Sequence, residues 1–204
     1  RAMPVFADNS RSALAASGPD NDFHFEFRIA DAENLTNFLG LPVDIIYPVT
    51  IDGAFSNSDG TANVTVDAQY LQQSDKIIEN TTLQASLTRD DGRGIIYATT
   101  TFPTQKGVMT VNAGITASDN RIDNKLDWQI EREKPIGGLL SMSTLIGRGQ
   151  DGNLNADIAI NTSKITFGDA EWTIAPARVL ISDKTVNVEN FALTTEGQSV
   201  RIEG

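Results

Sequence analysis

The chain has 204 residues, 40% of them hydrophobic and 21% charged, which suffices for a folded core and argues against disorder. A formal net charge of −11 speaks against nucleic acid and against anionic lipid headgroups as partners, since both are gripped by clustered Lys and Arg. With no cysteine, structural disulfides and thiolate metal sites are excluded.

Residues 1–22 read as a polar lead-in, small and turn-rich from Ala7 onward. A strand follows at 23–30. Phe23, Phe25, Phe27 and Ile29 stand on one parity, with His24, Glu26 and Arg28 between them. The sequence then predicts a helix near residues 31–39. Asp31 is its N-cap, Leu35, Phe38 and Leu39 form an i, i+3, i+4 stripe, and Gly40 and Pro42 end it.

Beyond the helix, alternation of apolar and polar residues predicts strands near 49–56, 61–71, 81–89, 94–102, 107–117, 121–132, 139–148 and 153–161. Shorter strands are expected near 164–168, 171–175, 178–182, 185–194 and 199–203. Hairpin chemistry punctuates them at Asn57–Gly60, Asp90–Gly92, Ser118–Asn120 and Gln150–Gly152. Residues 23–204 therefore read as a single extended all-β domain, a long antiparallel meander with one greasy face and one wet face.

Catalytic signatures are missing. His24 is the single histidine and falls on the polar parity of its strand, so Ser-His-Asp and Cys-His constellations have little to work with. No nucleophile elbow, zincin motif, P-loop or dinucleotide fingerprint occurs. The carboxylates sit at turns (Asp59, Asp90, Asp91, Asp151) or on polar parities (Asp67, Asp127, Asp157), which reads as solvated surface. The Asp/Asn/Gly turns lack EF-hand and nonapeptide calcium spacing. No cofactor and no metal are expected, and the chain reads as non-enzymatic. Aromatic residues are 7%, too few for the girdles of an outer-membrane barrel.

The apolar parity then becomes the candidate working surface. Either it seals on itself in a sandwich or barrel, or the sheet curls into an open trough whose apolar interior accepts acyl chains.

Residues 158–204 carry a more specific pattern: Asn161-Thr-Ser163, Ile165-Thr-Phe167, Trp172-Thr-Ile174-Ala-Pro176, an Ile-x-Asp at 181–183, Val186-x-Val188-Glu-Asn190-Phe191, and Gly197-Gln-Ser-Val200-Arg-Ile202-x-Gly204. This resembles the TamB family of translocation and assembly module proteins, in its Bacteroidetes-like version, within the wider AsmA-like group. The Phe-x-Phe-x-Phe strand and the segment "ADAENLTNFLG" are similar in style. The resemblance implies a taco-like or β-jellyroll trough in the periplasm of a Gram-negative bacterium. It implies a parent protein anchored in the inner membrane, with an Omp85-type outer-membrane barrel as partner. It also implies roles in outer-membrane protein assembly and phospholipid transport. The chain would be an interior slice of such a rod, with its anchor elsewhere.

On parity, the trough lining is expected from Phe23, Phe25, Phe27, Val64, Val66, Leu83, Leu87, Met109, Val111, Ile115, Leu126, Trp128, Ile130, Leu154, Ile158, Ile160, Phe167, Trp172 and Ile174, with no charged residue pointing inward. The partners expected are phospholipid acyl chains and, through other parts of the parent, the barrel. The alternative is a secreted β-sandwich adhesin or carbohydrate-binding module, which predicts a closed core, exposed aromatics and binding loops at one end.

Overall fold

The computed structural model describes residues 22–29, 44–45, 47–73, 76–89, 92–149, 152–182 and 185–204. These residues form one sheet of 16 strands in which every pairing is antiparallel. In chain order the strands are β1 (Asp22–Ile29), β2 (Asp44–Ile45), β3 (Val49–Ser56), β4 (Thr61–Gln73), β5 (Lys76–Thr88), β6 (Arg93–Thr104), β7 (Gly107–Ser118) and β8 (Arg121–Ile130). They continue as β9 (Ile136–Arg148), β10 (Leu154–Ile160), β11 (Ser163–Phe167), β12 (Ala170–Ile174), β13 (Ala177–Ser182), β14 (Thr185–Glu189), β15 (Phe191–Thr195) and β16 (Gln198–Ile202).

From β3 to β9 spatial order follows chain order, with β1 outside β3 as an edge and β2 beside Leu71 and Gln72 of β4. Tight turns impose this. Ser118 pairs with Arg121, leaving Asp119 and Asn120 as a two-residue loop with φ of 49° and 63°. Positive φ at both positions is the type I′ turn, whose twist matches the flanking strands and which Asp and Asn tolerate. Gly60 and Gly168 take left-handed φ of 62° at the β3–β4 and β11–β12 turns.

The sheet divides at β9. Its first residues, Ile136–Leu139, pair with β11, while Met142–Arg148 pair with β10 on the same edge. One arm runs β10–β13–β14 and the other β11–β12–β15–β16. The arms touch at their tips, where the Val188 N–H donates to the Gly204 carbonyl at 2.6 Å and the Gly204 N–H donates to the Val188 carbonyl at 3.1 Å. At the crotch of the fork Ser163 is 1% exposed. Its hydroxyl accepts the Ser141 N–H at 3.1 Å and donates to the Asn161 carbonyl at 2.9 Å. Buried apolar residues are few: Ile174 and Ala177 on the two arms, and Val49 with its cross-strand neighbour Ala68.

Several expectations need correction. The sheet is open: β1 and β16 lie at opposite ends of the strand order and no pairing among the described strands joins them, so the curled, taco-like trough is not formed here. Curling needs bulges or glycine kinks repeated from strand to strand. The pairs described show a register shift at one place, between β5 and β6, where Asn80 (φ 49°) and Thr81 face Thr100 alone. That bulge lies inside a strand that begins at Lys76, earlier than the expected residue 81. The strand expected over 185–194 is two strands, broken by Asn190 at φ 58°. The predicted helix near 31–39 and the lead-in up to residue 21 lie outside the described residues; Asp22 opens β1.

Candidate functional site: the apolar sheet face

Cross-strand pairs share a face, so the register traces continuous rows over the sheet. One row runs Phe27, Ile51, Val66, Leu83, Ala98, Ala113, Leu126, Leu140. The next runs Phe25, Gly53, Val64, Ala85, Ile96, Ile115, Asn124, Met142, Ile160. All the expected lining residues fall on this one face. Val111, Trp128 and Met109, Ile130 pair across β7 and β8. Phe23 faces Phe55, and Ala62 faces Leu87. In the arms, Ile158 pairs with Thr144 and Val179, Leu154 lies on its parity, Trp172 pairs with Ile165, and Phe167 with Ile136.

Most of this face meets solvent. Phe23 is 54%, Phe27 57%, Leu87 48% and Phe167 53% exposed, and Leu154 and Leu126 are exposed as well. Ile174 differs, being sealed at 7% in the fork. A contiguous exposed apolar surface of this kind is the chain's candidate interaction surface. Phe55, Ile51, Ile96, Ile122, Leu140 and Met142 share the face although they were not named as lining; the parity of their strands carried the signal.

Two aromatic rings lie down on the sheet rather than standing from it. Phe25 covers Gly53, and Trp128 covers Gly138, each its cross-strand neighbour, and a Cβ on either glycine would collide with the ring. Lying flat shields bare backbone and lowers the relief of the face. Trp128 is thereby half-buried, lining rather than an upright platform. Phe23, Phe25 and Phe27 continue as a ladder with centroids 6.2 and 5.2 Å apart, and Phe55 stacks on Phe23 at 5.3 Å.

Small residues cut a depression into the face at the end that carries the β3–β4 turn. A hollow of about 520 Å³ lies between Phe55 and Leu87 over Ala62, with Gly60, Asn57 and Arg89 at its rim. A second of about 300 Å³ adjoins it over Ala85, Gly94 and Ala117, walled by Ile96 and Ile115. Charge does reach this face, contrary to expectation, but at strand ends. Glu79 pairs across from Tyr70, whose hydroxyl donates to it and is held above its ordinary range by that bond. Arg148 pairs across from Leu154 and donates to the Gly152 carbonyl at 2.9 Å.

The opposite face carries the ion pairs, interspersed with exposed Tyr97, Leu139 and Leu145. His24 Nε2 is 3.2 Å from Asp52, and His24 is exposed on the polar parity as expected. Arg178 forks onto Asp157 at 2.7 and 2.5 Å, and Lys164 meets Glu171 at 2.8 Å. Asp123 accepts the Ser143 hydroxyl at 2.5 Å and the Arg121 guanidinium at 3.0 Å. The Ser143 bond first, and Arg121 after it, hold the Asp123 carboxyl below the usual carboxylate range, against an opposing effect of burial. Arg178 does the same for Asp157. These pairs are solvated and keep the second face wet.

No family model, no curated protein and no solved structure matches the chain.

Proposed function

We propose that the chain is a non-enzymatic segment of a periplasm-spanning protein of the TamB type, carrying phospholipid along its apolar β surface and supporting outer-membrane protein assembly. The observation that carries this reading is the predominantly apolar, solvent-facing face that runs from β1 to β10. Such a surface needs an occupant, and an acyl chain gains about 0.8 kcal/mol for each methylene it buries. Because the sheet is open, the tails lie against the face as on a platform. The headgroup stays in water, which suits an acidic protein without basic patches. The Omp85-type barrel, the inner-membrane anchor and the periplasmic address belong to the proposal through the family resemblance of residues 158–204.

Native mass spectrometry tests it. After delipidation and incubation with phospholipid vesicles, the expected spectrum shows protein with one or more lipids bound. A clean apo spectrum at high lipid excess overturns the reading. Ile158→Asp, on β10 where the face enters the fork, is expected to abolish lipid crosslinking while the sheet persists. A glycan array that returns specific binders would instead favour the adhesin or carbohydrate-module reading.

A further inference from the structure

β1 lies at the end of the strand order, paired with β3 on one side only among the described strands. It is eight residues long, contains no proline and pairs with β3 without a bulge, so among the described residues its outer backbone groups are left for another strand. Its polar parity reads Asp22, His24, Glu26, Arg28.

That string is self-complementary. Laid antiparallel to a second copy with Phe25 opposite Phe25, it sets Asp22 against Arg28 and His24 against Glu26, each twice, and Phe23 against Phe27. Sliding by two residues in one direction sets Glu26 on Glu26 and His24 on Arg28. In the other direction it sets His24 on His24 and Asp22 on Glu26. Sliding by one residue turns the two apolar faces to opposite sides. A single register thus sets Asp22 against Arg28 and gives Glu26 an imidazole to accept from, with no carboxylate facing a carboxylate.

Conditions within the chain favour the same partner. Glu26 stands directly opposite Asp52 on β3, a like-charge pair that opposes pairing. Neither Glu26 nor Arg28 makes a side-chain ion pair or hydrogen bond among the described residues. A second His24 and a second Asp22 would supply partners that the described residues do not.

We infer that two copies of this chain associate through β1, antiparallel and about a two-fold axis normal to the sheet at Phe25. The contact is isologous, so it closes at two copies. Both apolar faces then lie on one side, joined across a shared phenylalanine ladder.

Sedimentation velocity on the 204-residue chain is expected to show a dimer. His24→Glu sets carboxylates against each other at both ends and is expected to give monomer; adding Glu26→Lys restores the dimer. The absence of cysteine allows a second, independent test. Under oxidation Phe25→Cys is expected to link to itself across the axis. Phe23→Cys is not, because its own copy lies about 13 Å along the strands, beyond the roughly 7 Å Cα limit for a disulfide. Monomer at every concentration, a dimer indifferent to His24→Glu, or Phe23→Cys linking as readily as Phe25→Cys overturns the inference.

Discussion

The indole of Trp128 lies across Gly138, its cross-strand neighbour, and fills the space where a side chain would stand. A Cβ at Gly138 would also come to 3.0 Å from the Lys164 carbonyl oxygen, so moving the ring aside would not by itself make room for it. Gly138→Ala is therefore expected to cost about 1–3 kcal/mol, the range for overpacking a fitted site. Urea denaturation followed by tryptophan emission checks it.

Ser163 is the buried joint of the fork. Removing its hydroxyl orphans the Ser141 N–H and the Asn161 carbonyl together. Ser163→Ala is expected to destabilise by about 1–3 kcal/mol, and amide exchange is expected to quicken at Ser141 before it does in β4 or β5. A loss confined to a few tenths of a kcal/mol would mean water replaces the hydroxyl.

The exposed and the sealed parts of the apolar face answer differently to a new charge. Leu126→Asp, on the exposed apolar face, is expected to change stability by about 1 kcal/mol or less and to remove lipid binding. Ile174→Asp places a carboxylate in the sealed fork, and no cooperative unfolding transition is expected to survive it. Circular dichroism melts of the two variants separate a working surface from a core.

Acid stability depends on Asp123 and Asp157. Both carboxyls are held below their ordinary value of 3.8 in the folded chain. Unfolded, they bind protons more readily, so their stabilisation is fully present above that ordinary value and is lost as pH falls through the depressed one. The chain is expected to lose stability on acidification, and Asp123→Asn to flatten that dependence. Since both side chains are partly solvated, the effect is modest. Urea midpoints at about pH 7 and about pH 2 are the measurement, and the wild-type advantage over Asp123→Asn should vanish at the lower pH.

Much of this architecture is legible in one dimension. Alternation puts Val64 and Val66 on the same face as Phe25 and Phe27, and Asp119-Asn120 dictates a turn that leaves no choice of neighbour. The β5 boundary escaped because Asn80 interrupts the pattern at a bulge, where two residues face one and alternation no longer reports the strand. Asn190 escaped for a related reason: a lone residue at positive φ parts β14 from β15 within a stretch whose composition stays strand-like. The fork is beyond local pattern altogether. Nothing in the run Ile136–Arg148 announces that its halves serve different partners, since that depends on where residues 163–177 return. Curvature is equally illegible, because parity says which face is apolar and nothing about how far the sheet bends over it.

The same fork sets the order of assembly. From β5 to β8 each strand meets only its neighbours in sequence, so hairpins can form anywhere and zip outward, each step closing a short loop. At β9 this ceases. β13 must travel past β11 and β12 before it finds β10, and β15 must pass β13 and β14 before it reaches β12. Those closures span more chain and are expected to form after the meander. A ribosome emitting this stretch would therefore present a meander that is already folding, while the two arms join only once Gly204 has emerged to meet Val188.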